Sequence, residues 1–126
     1  IRDSEKPENL LSRDDAIKIA DIITIHVNED KTIINKRDFE KMKKGILLLN
    51  CSRGQCISES DLVDAVKNEI VAGAWIDTFE KEPYEGPLLD LKNIILSPHS
   101  ASFTKECRNQ MELEATKNIL SFLESN

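Results

Sequence analysis

Four short apolar runs, each followed at once by polar residues, constrain this chain more than any other feature. Asp21 to Val27, Ile46 to Asn50, Val71 to Phe79 and Asn93 to Leu96 are rich in β-branched and aliphatic residues and lack clean alternation. Strands buried on both faces, as in parallel sheets, read this way. Helix starts lie between them. Ser12, with Asp15 three residues on and Leu11 and Ala16 able to staple, opens a short helix to about Ala20. Asn35 caps a second, with Asp38 in its first turn, Ile34 and Phe39 as a staple and Gly45 as a left-handed stop. Ser58 and Asp61 open a third, with Leu62, Ala65 and Val66 on one face. Pro83, Gly86 and Pro87 break the chain before the fourth strand. Ser102 or Thr104 caps a long last helix. Its positions Cys107, Met111, Ala115, Ile119, Phe122 and Leu123 follow steps of three and four, which predicts a buried stripe.

The order is helix, strand, helix, strand, helix, strand, loop, strand, helix. It predicts an α/β fold with about four parallel strands, right-handed crossovers, flanking helices and a long C-terminal helix. A length of 126 residues suits one core. Ile1 to Leu11 is polar and irregular and starts without Met, which reads as a piece of a longer chain. An unpaired first-strand edge with apolar surface beside it invites self-association, so a homodimer or higher homo-oligomer is expected.

The net charge of −6 argues against nucleic acid, whose phosphates need a basic face, and against an anionic membrane surface. Apolar runs such as Ile46 to Leu49 are far too short to span a bilayer, and no signal-peptide pattern opens the sequence. Cys51, Cys56 and Cys107 are odd in number and not closely paired, so they read as reduced thiols of a cytoplasmic protein. With two histidines and no Cys-x-x-Cys, no metal site is expected.

In parallel α/β sheets, ligands bind beyond the carboxyl ends of the strands. Here those ends carry His26, Val27 and Asn28, then Cys51, Ser52, Arg53 and Gly54, then Asp77, Glu80 and Glu82, and last Pro98, His99, Ser100 and Ala101. One guanidinium, several carboxylates and two imidazoles therefore lie along one sheet edge, His99 being the candidate base. Such a set suits hydride transfer at a carbinol next to a carboxylate. The alcohol proton needs a base titrating near neutrality, which is histidine, and a neighbouring carboxylate fixes its tautomer. The substrate carboxylate wants a two-pronged permanent cation, which is arginine.

Asn50-Cys51-Ser52-Arg53-Gly54 resembles the Asn-x-[Ser/Ala]-Arg-Gly segment of the D-2-hydroxyacid dehydrogenases. Ala72 to Pro83 resembles their Ala-Gly-Ala…Asp-x-Phe-x-x-Glu-Pro segment, and Asn93 to His99 their Asn-Val-x-Leu-x-Pro-His. Asp21 to Val27 resembles the preceding Asp-x-Val-x-x-His strand. The likeness runs from about residue 15 to the end, in the family's order and spacing. It implies half of a Rossmann-type doubly wound sheet, with residues 1–126 the C-terminal portion of an NAD-binding domain. It implies Arg53 for the substrate carboxylate, His99 as acid/base with Glu82 its partner, and Asp77 for the nicotinamide amide. It implies a cofactor wall of Val27, Asn28, Cys51, Ser52 and Ala101. The cofactor is NAD, with NADP the alternative, and the substrate a small 2-hydroxyacid or 2-oxoacid. The Cys before Ser52-Arg53 and the Pro-Leu-Leu and Met-Glu-x-Glu-Ala segments are most similar to phosphoglycerate dehydrogenases, which implies 3-phosphoglycerate and serine biosynthesis.

Two departures stand out. Asn28 follows Val27 where the family usually has proline. The glycines are 45, 54, 73 and 86, and no Gly-x-Gly-x-x-Gly phosphate cradle can be drawn from them. A noncatalytic NAD-sensing module, as in corepressors of the family, and a half-domain that only folds or oligomerises are the competing readings. Among the remaining residues, His26 reads as structural, Glu80 as a solvated charge, and Met111 and Phe122 as core. Trp75, where smaller residues are usual, also reads as core packing. Cys51 reads first as a buried, inert thiol, with a cofactor-lining thiol whose pKa Arg53 lowers as the alternative.

Overall fold

In the computed structural model, which describes residues 11–125, the elements run α1 (Arg13–Ile19), β1 (Ile22–Ile25), α2 (Lys36–Phe39), β2 (Ile46–Asn50), α3 (Glu59–Lys67), β3 (Val71–Ile76), β4 (Ile94–Leu96) and α4 (Lys105–Glu124). The reading of residues 1–10 as irregular lies outside the described residues. The strands form one parallel sheet in the order β1-β2-β3-β4. The first and third strands are shorter than their apolar runs, because Asp21, His26, Asp77 and Phe79 already belong to the connections. Among the described residues, no helix is long and apolar enough to cross a membrane.

Period-two geometry sends alternate side chains of each strand to opposite faces. On β2, Ile46, Leu48 and Asn50 are buried while Leu47 is exposed. The buried face carries Ile25, Ile46, Leu48, Val71, Ala74 and Ile76. It shares one core with Phe39 and Met42 of the α2 region and Leu62, Ala65 and Val66 of α3. The opposite face is apolar yet open: Ile22, Leu47 and Ile95 are exposed, and Leu49 and Trp75 are half-buried. The expectation of strands buried on both faces is therefore corrected. The second face lacks polar alternation, and no helix of the described residues covers it.

Local chemistry sets the helix starts. Ser12 Oγ accepts the Asp15 N–H at 3.1 Å and donates to the Asp15 carboxylate. Leu11 and Ala16 are both exposed, so the expected staple is not buried. Asn35 and Asp38 make a full reciprocal capping box. Buried Asp38 also takes a hydrogen bond from Arg13 at 2.7 Å. That bond, against burial, holds its carboxyl below the ordinary value. The third start differs from expectation. Ser58 makes no side-chain cap bond, and Asp61 accepts the Lys36 N–H at 2.9 Å, so the acid caps α2 rather than its own helix. Gly45 is left-handed at φ 87, but it lies beyond the end of α2 and turns the chain into β2.

The largest correction concerns α4. Thr104 caps it by accepting the Cys107 N–H, as expected of one of the two candidates. None of its residues is buried, and Met111, Ile119 and Leu123 are more than half exposed. Phe122 and Met111 are thus not core residues here. Periodicity shows that a stripe demands burial, but it does not say against what. Within the described residues, α4 has no substantial packing partner.

Candidate active site

Parallel strands in sequential order place the four connecting loops side by side along one edge of the sheet. The loop after β2 is organised by Asn50, which is buried. Its Oδ1 accepts the N–H of Ser52 at 3.1 Å and the Ser52 hydroxyl at 2.9 Å, and its Nδ2 donates to the Arg53 carbonyl at 2.9 Å. Arg53 is thereby held outward. Its Nη1 donates to the Ser52 carbonyl at 2.7 Å, and its Nη2 to Asn28 Oδ1 on the neighbouring loop at 2.9 Å. Five N–H donors in a planar fork leave hydrogens over for a ligand.

On the other side, His99 Nδ1 lies 3.3 Å from Glu82 Oε2 and 3.2 Å from Glu82 Oε1. Glu82 Oε1 also accepts the Phe79 N–H at 3.1 Å, which fixes the carboxylate in its turn. Glu80 is exposed, without a hydrogen bond to the imidazole. His99 has φ 51, a left-handed conformation that a non-glycine residue adopts only where its surroundings hold it. His26, exposed at the end of β1, is bonded to Thr24 Oγ1 at 2.8 Å, in keeping with its structural reading.

Asp77 is fully buried. Oδ1 accepts the Ser97 hydroxyl and the Ser100 N–H, and Oδ2 the Ala101 N–H. Burial alone would push its carboxyl up. The three donors, then the charge of His99, outweigh that and hold it below the ordinary value. The expectation that Asp77 receives a nicotinamide amide thus meets a buried carboxylate that already accepts three bonds from the loop after β4. Ser52 is buried as well, with its hydroxyl on Asn50 and Cys56. Val27, Asn28, Cys51 and Ala101 are the expected wall residues that keep exposed surface. Trp75 is not core. It lies half-buried on the open face, and its indole N–H donates to Ser97 Oγ at 2.7 Å.

At Cys51 the geometry does not support activation by Arg53. Its thiol is pushed up, first by burial and then by the negative charge of Asp77, whereas Arg53 is turned toward Asn28. Sequence reasoning passed over Asn50, Ser97 and Tyr84. Tyr84 stacks on Phe79 at 4.3 Å and accepts the Leu88 N–H. Its phenol is pushed up to about 12, mainly by burial. Asn50 and Ser97 stood inside quoted motifs, but only their cross-loop bonds reveal what they do.

A sequence model of the D-isomer specific 2-hydroxyacid dehydrogenase NAD-binding domain matches residues 2–101. Glycerate dehydrogenase of Cucumis sativus is 42% identical over 113 residues, covering 86% of this chain and 30% of that enzyme. D-3-phosphoglycerate dehydrogenase of Bacillus subtilis is 38% identical over 113 residues, covering 86% of this chain and 22% of that enzyme. A solved acyclic imino acid reductase in complex with NADPH and D-Arg superposes with a TM-score of 0.81 at 30% identity, over 91% of this chain and 38% of that one. The chain thus spans well under half the length of these relatives. Its half of a Rossmann-like sheet and the matched model show that the chain belongs to the D-isomer-specific 2-hydroxyacid dehydrogenase family, as part of its NAD-binding domain.

Proposed function

We propose that the protein carrying this chain moves a hydride between NAD and the C2 carbon of a D-2-hydroxyacid, with 3-phosphoglycerate the finer substrate reading. The observation that carries the reading is the Glu82–His99 pair on the same sheet edge as an outward Arg53. Held by Glu82 at Nδ1, the imidazole leaves Nε2 to take the alcohol proton in oxidation or return it in reduction. Arg53 binds the substrate carboxylate with its remaining N–H groups and fixes the carbinol relative to His99. The loop surfaces fit a nicotinamide: Val27, Cys51 and Ala101 are uncharged and partly accessible, and the raised thiol of Cys51 keeps it neutral. When bound, the nicotinamide supplies or accepts the hydride. In this reading Val27, Asn28, Cys51 and Ala101 touch the cofactor, while Ser52 and Asp77 support the wall from behind. NADP is the alternative cofactor. The open sheet face supports assembly into a homo-oligomer, and the three free thiols fit a cytoplasmic protein.

The test is a panel of 3-phosphoglycerate, glycerate and glycolate with NAD and NADP, run on the full-length protein. Arg53→Lys belongs to the same experiment. It keeps the charge and loses the fork, so KM for the hydroxyacid should rise roughly tenfold while kcat changes little. An unchanged KM would take the substrate carboxylate away from Arg53.

Cys51 offers an independent check on the cofactor wall. Only the thiolate is alkylated, so iodoacetamide should modify Cys51 more slowly than free cysteine at the same pH. Saturating NAD should slow it further. Mass-mapped labelling that is equal with and without NAD would place Cys51 outside the cofactor site.

A further inference from the structure

The geometry points to Trp75 and Ser97 as positioning residues for His99, acting through the buried carboxylate of Asp77. The inference rests on the reading of His99 as the acid/base. Trp75, Ser97 and Asp77 form one chain of hydrogen bonds that ends on the loop holding His99. Trp75 Nε1 donates to Ser97 Oγ at 2.7 Å, and Ser97 Oγ donates to Asp77 Oδ1. Asp77 then accepts the N–H groups of Ser100 and Ala101, each at 2.9 Å. These two residues directly follow His99, whose own N–H donates to the Ser97 carbonyl at 2.9 Å. The left-handed backbone of His99 is therefore tied on both sides to residues of this relay.

The chemistry gives the relay a single direction. An indole N–H can only donate, and a carboxylate can only accept. The Ser97 hydroxyl has one proton. It accepts from Trp75 and must spend that proton on Asp77. Each bond polarises the next, which strengthens the grip on the loop. Trp75 lies on β3 and Ser97 just beyond β4, so the relay also locks two adjacent strand ends to each other. Without it, Asp77 loses a donor at a fully buried carboxylate, and the turn that aims the imidazole at Glu82 loosens.

The full-length protein is the object of the test, with NADH-dependent reduction of hydroxypyruvate and glyoxylate as probe reactions. Ser97→Ala should lower kcat about twofold to tenfold, the worth of one hydrogen bond, with KM for the oxoacid unchanged. Ser97→Thr should restore kcat. Trp75→Phe keeps an aromatic ring and loses the N–H, and it should lower kcat within the same range without moving KM. Hydrogen exchange followed by mass spectrometry should speed up in residues 98–102 in both variants, and stay as in the wild type in α3. Unchanged kcat and unchanged exchange in Ser97→Ala would overturn the relay, and so would failure of threonine to rescue. The two levels separate through His99→Ala. If that variant keeps full turnover, the acid/base reading falls and this inference with it. If it is inactive while Ser97→Ala and Trp75→Phe behave as wild type, the relay alone falls.

Discussion

His99→Ala in the full-length protein should lower turnover by roughly a hundredfold to ten-thousandfold, the usual worth of a positioned acid/base. The size follows from what the imidazole would do. An alcohol proton must leave as the hydride leaves carbon, and water is a poor base at neutral pH. The left-handed backbone at residue 99 and the Glu82 contact at Nδ1 are the two features that aim the ring. Alanine removes the ring and leaves both supports standing, so NAD affinity and the melting temperature should stay close to wild type. Steady-state kinetics beside calorimetric titration with NAD check this. Glu82→Gln should also slow turnover, because an amide cannot fix the ring by charge. Glu80→Gln should not, since Glu80 points to solvent and makes no bond to the imidazole. Turnover that drops with Glu80→Gln and holds with Glu82→Gln would reverse the choice of carboxylate.

The succession of strands and helices and the segments that carry Arg53, Glu82 and His99 were legible in the sequence because they depend on near neighbours. Asn35 and Asp38 close their own capping box, and Thr104 caps its own helix. The readings that failed depend on distant partners. Asp61 looked like a partner for Ser58 three residues away, yet it satisfies the Lys36 N–H, twenty-five residues back in the chain. The steps of three and four in α4 and the unalternating strands mark apolar surfaces, but a sequence pattern does not say whether or by what they are covered. Asp77 shows the same dependence within the site: its motif position speaks for a ligand contact, but the three donors that hold its buried carboxylate come from the loop after β4, twenty or more residues away.

Gly54→Ala should cost activity roughly a hundredfold, although Gly54 contributes no side chain to the chemistry. Its role is close approach. A Cβ built at this position would overlap the Phe79 carbonyl carbon and oxygen and the Glu80 nitrogen, all of them backbone atoms. Backbone cannot swing aside as a flexible side chain can, so one of the two loops must move. One loop carries Arg53. The other runs through Phe79, whose N–H holds Glu82, and so sets where the His99 pair stands. Pushing them apart separates the substrate carboxylate grip from the acid/base, and a shift of about 1 Å is enough for a loss of that size. The same overlap should lower stability by roughly 1–3 kcal/mol, as overpacking does in tight sites. Urea unfolding gives the stability change. Kinetics under conditions where circular dichroism shows the variant folded give the activity change. A folded Gly54→Ala with wild-type kcat/KM would show that the spacing between the Arg53 loop and the Phe79–Glu82 turn does not govern the reaction.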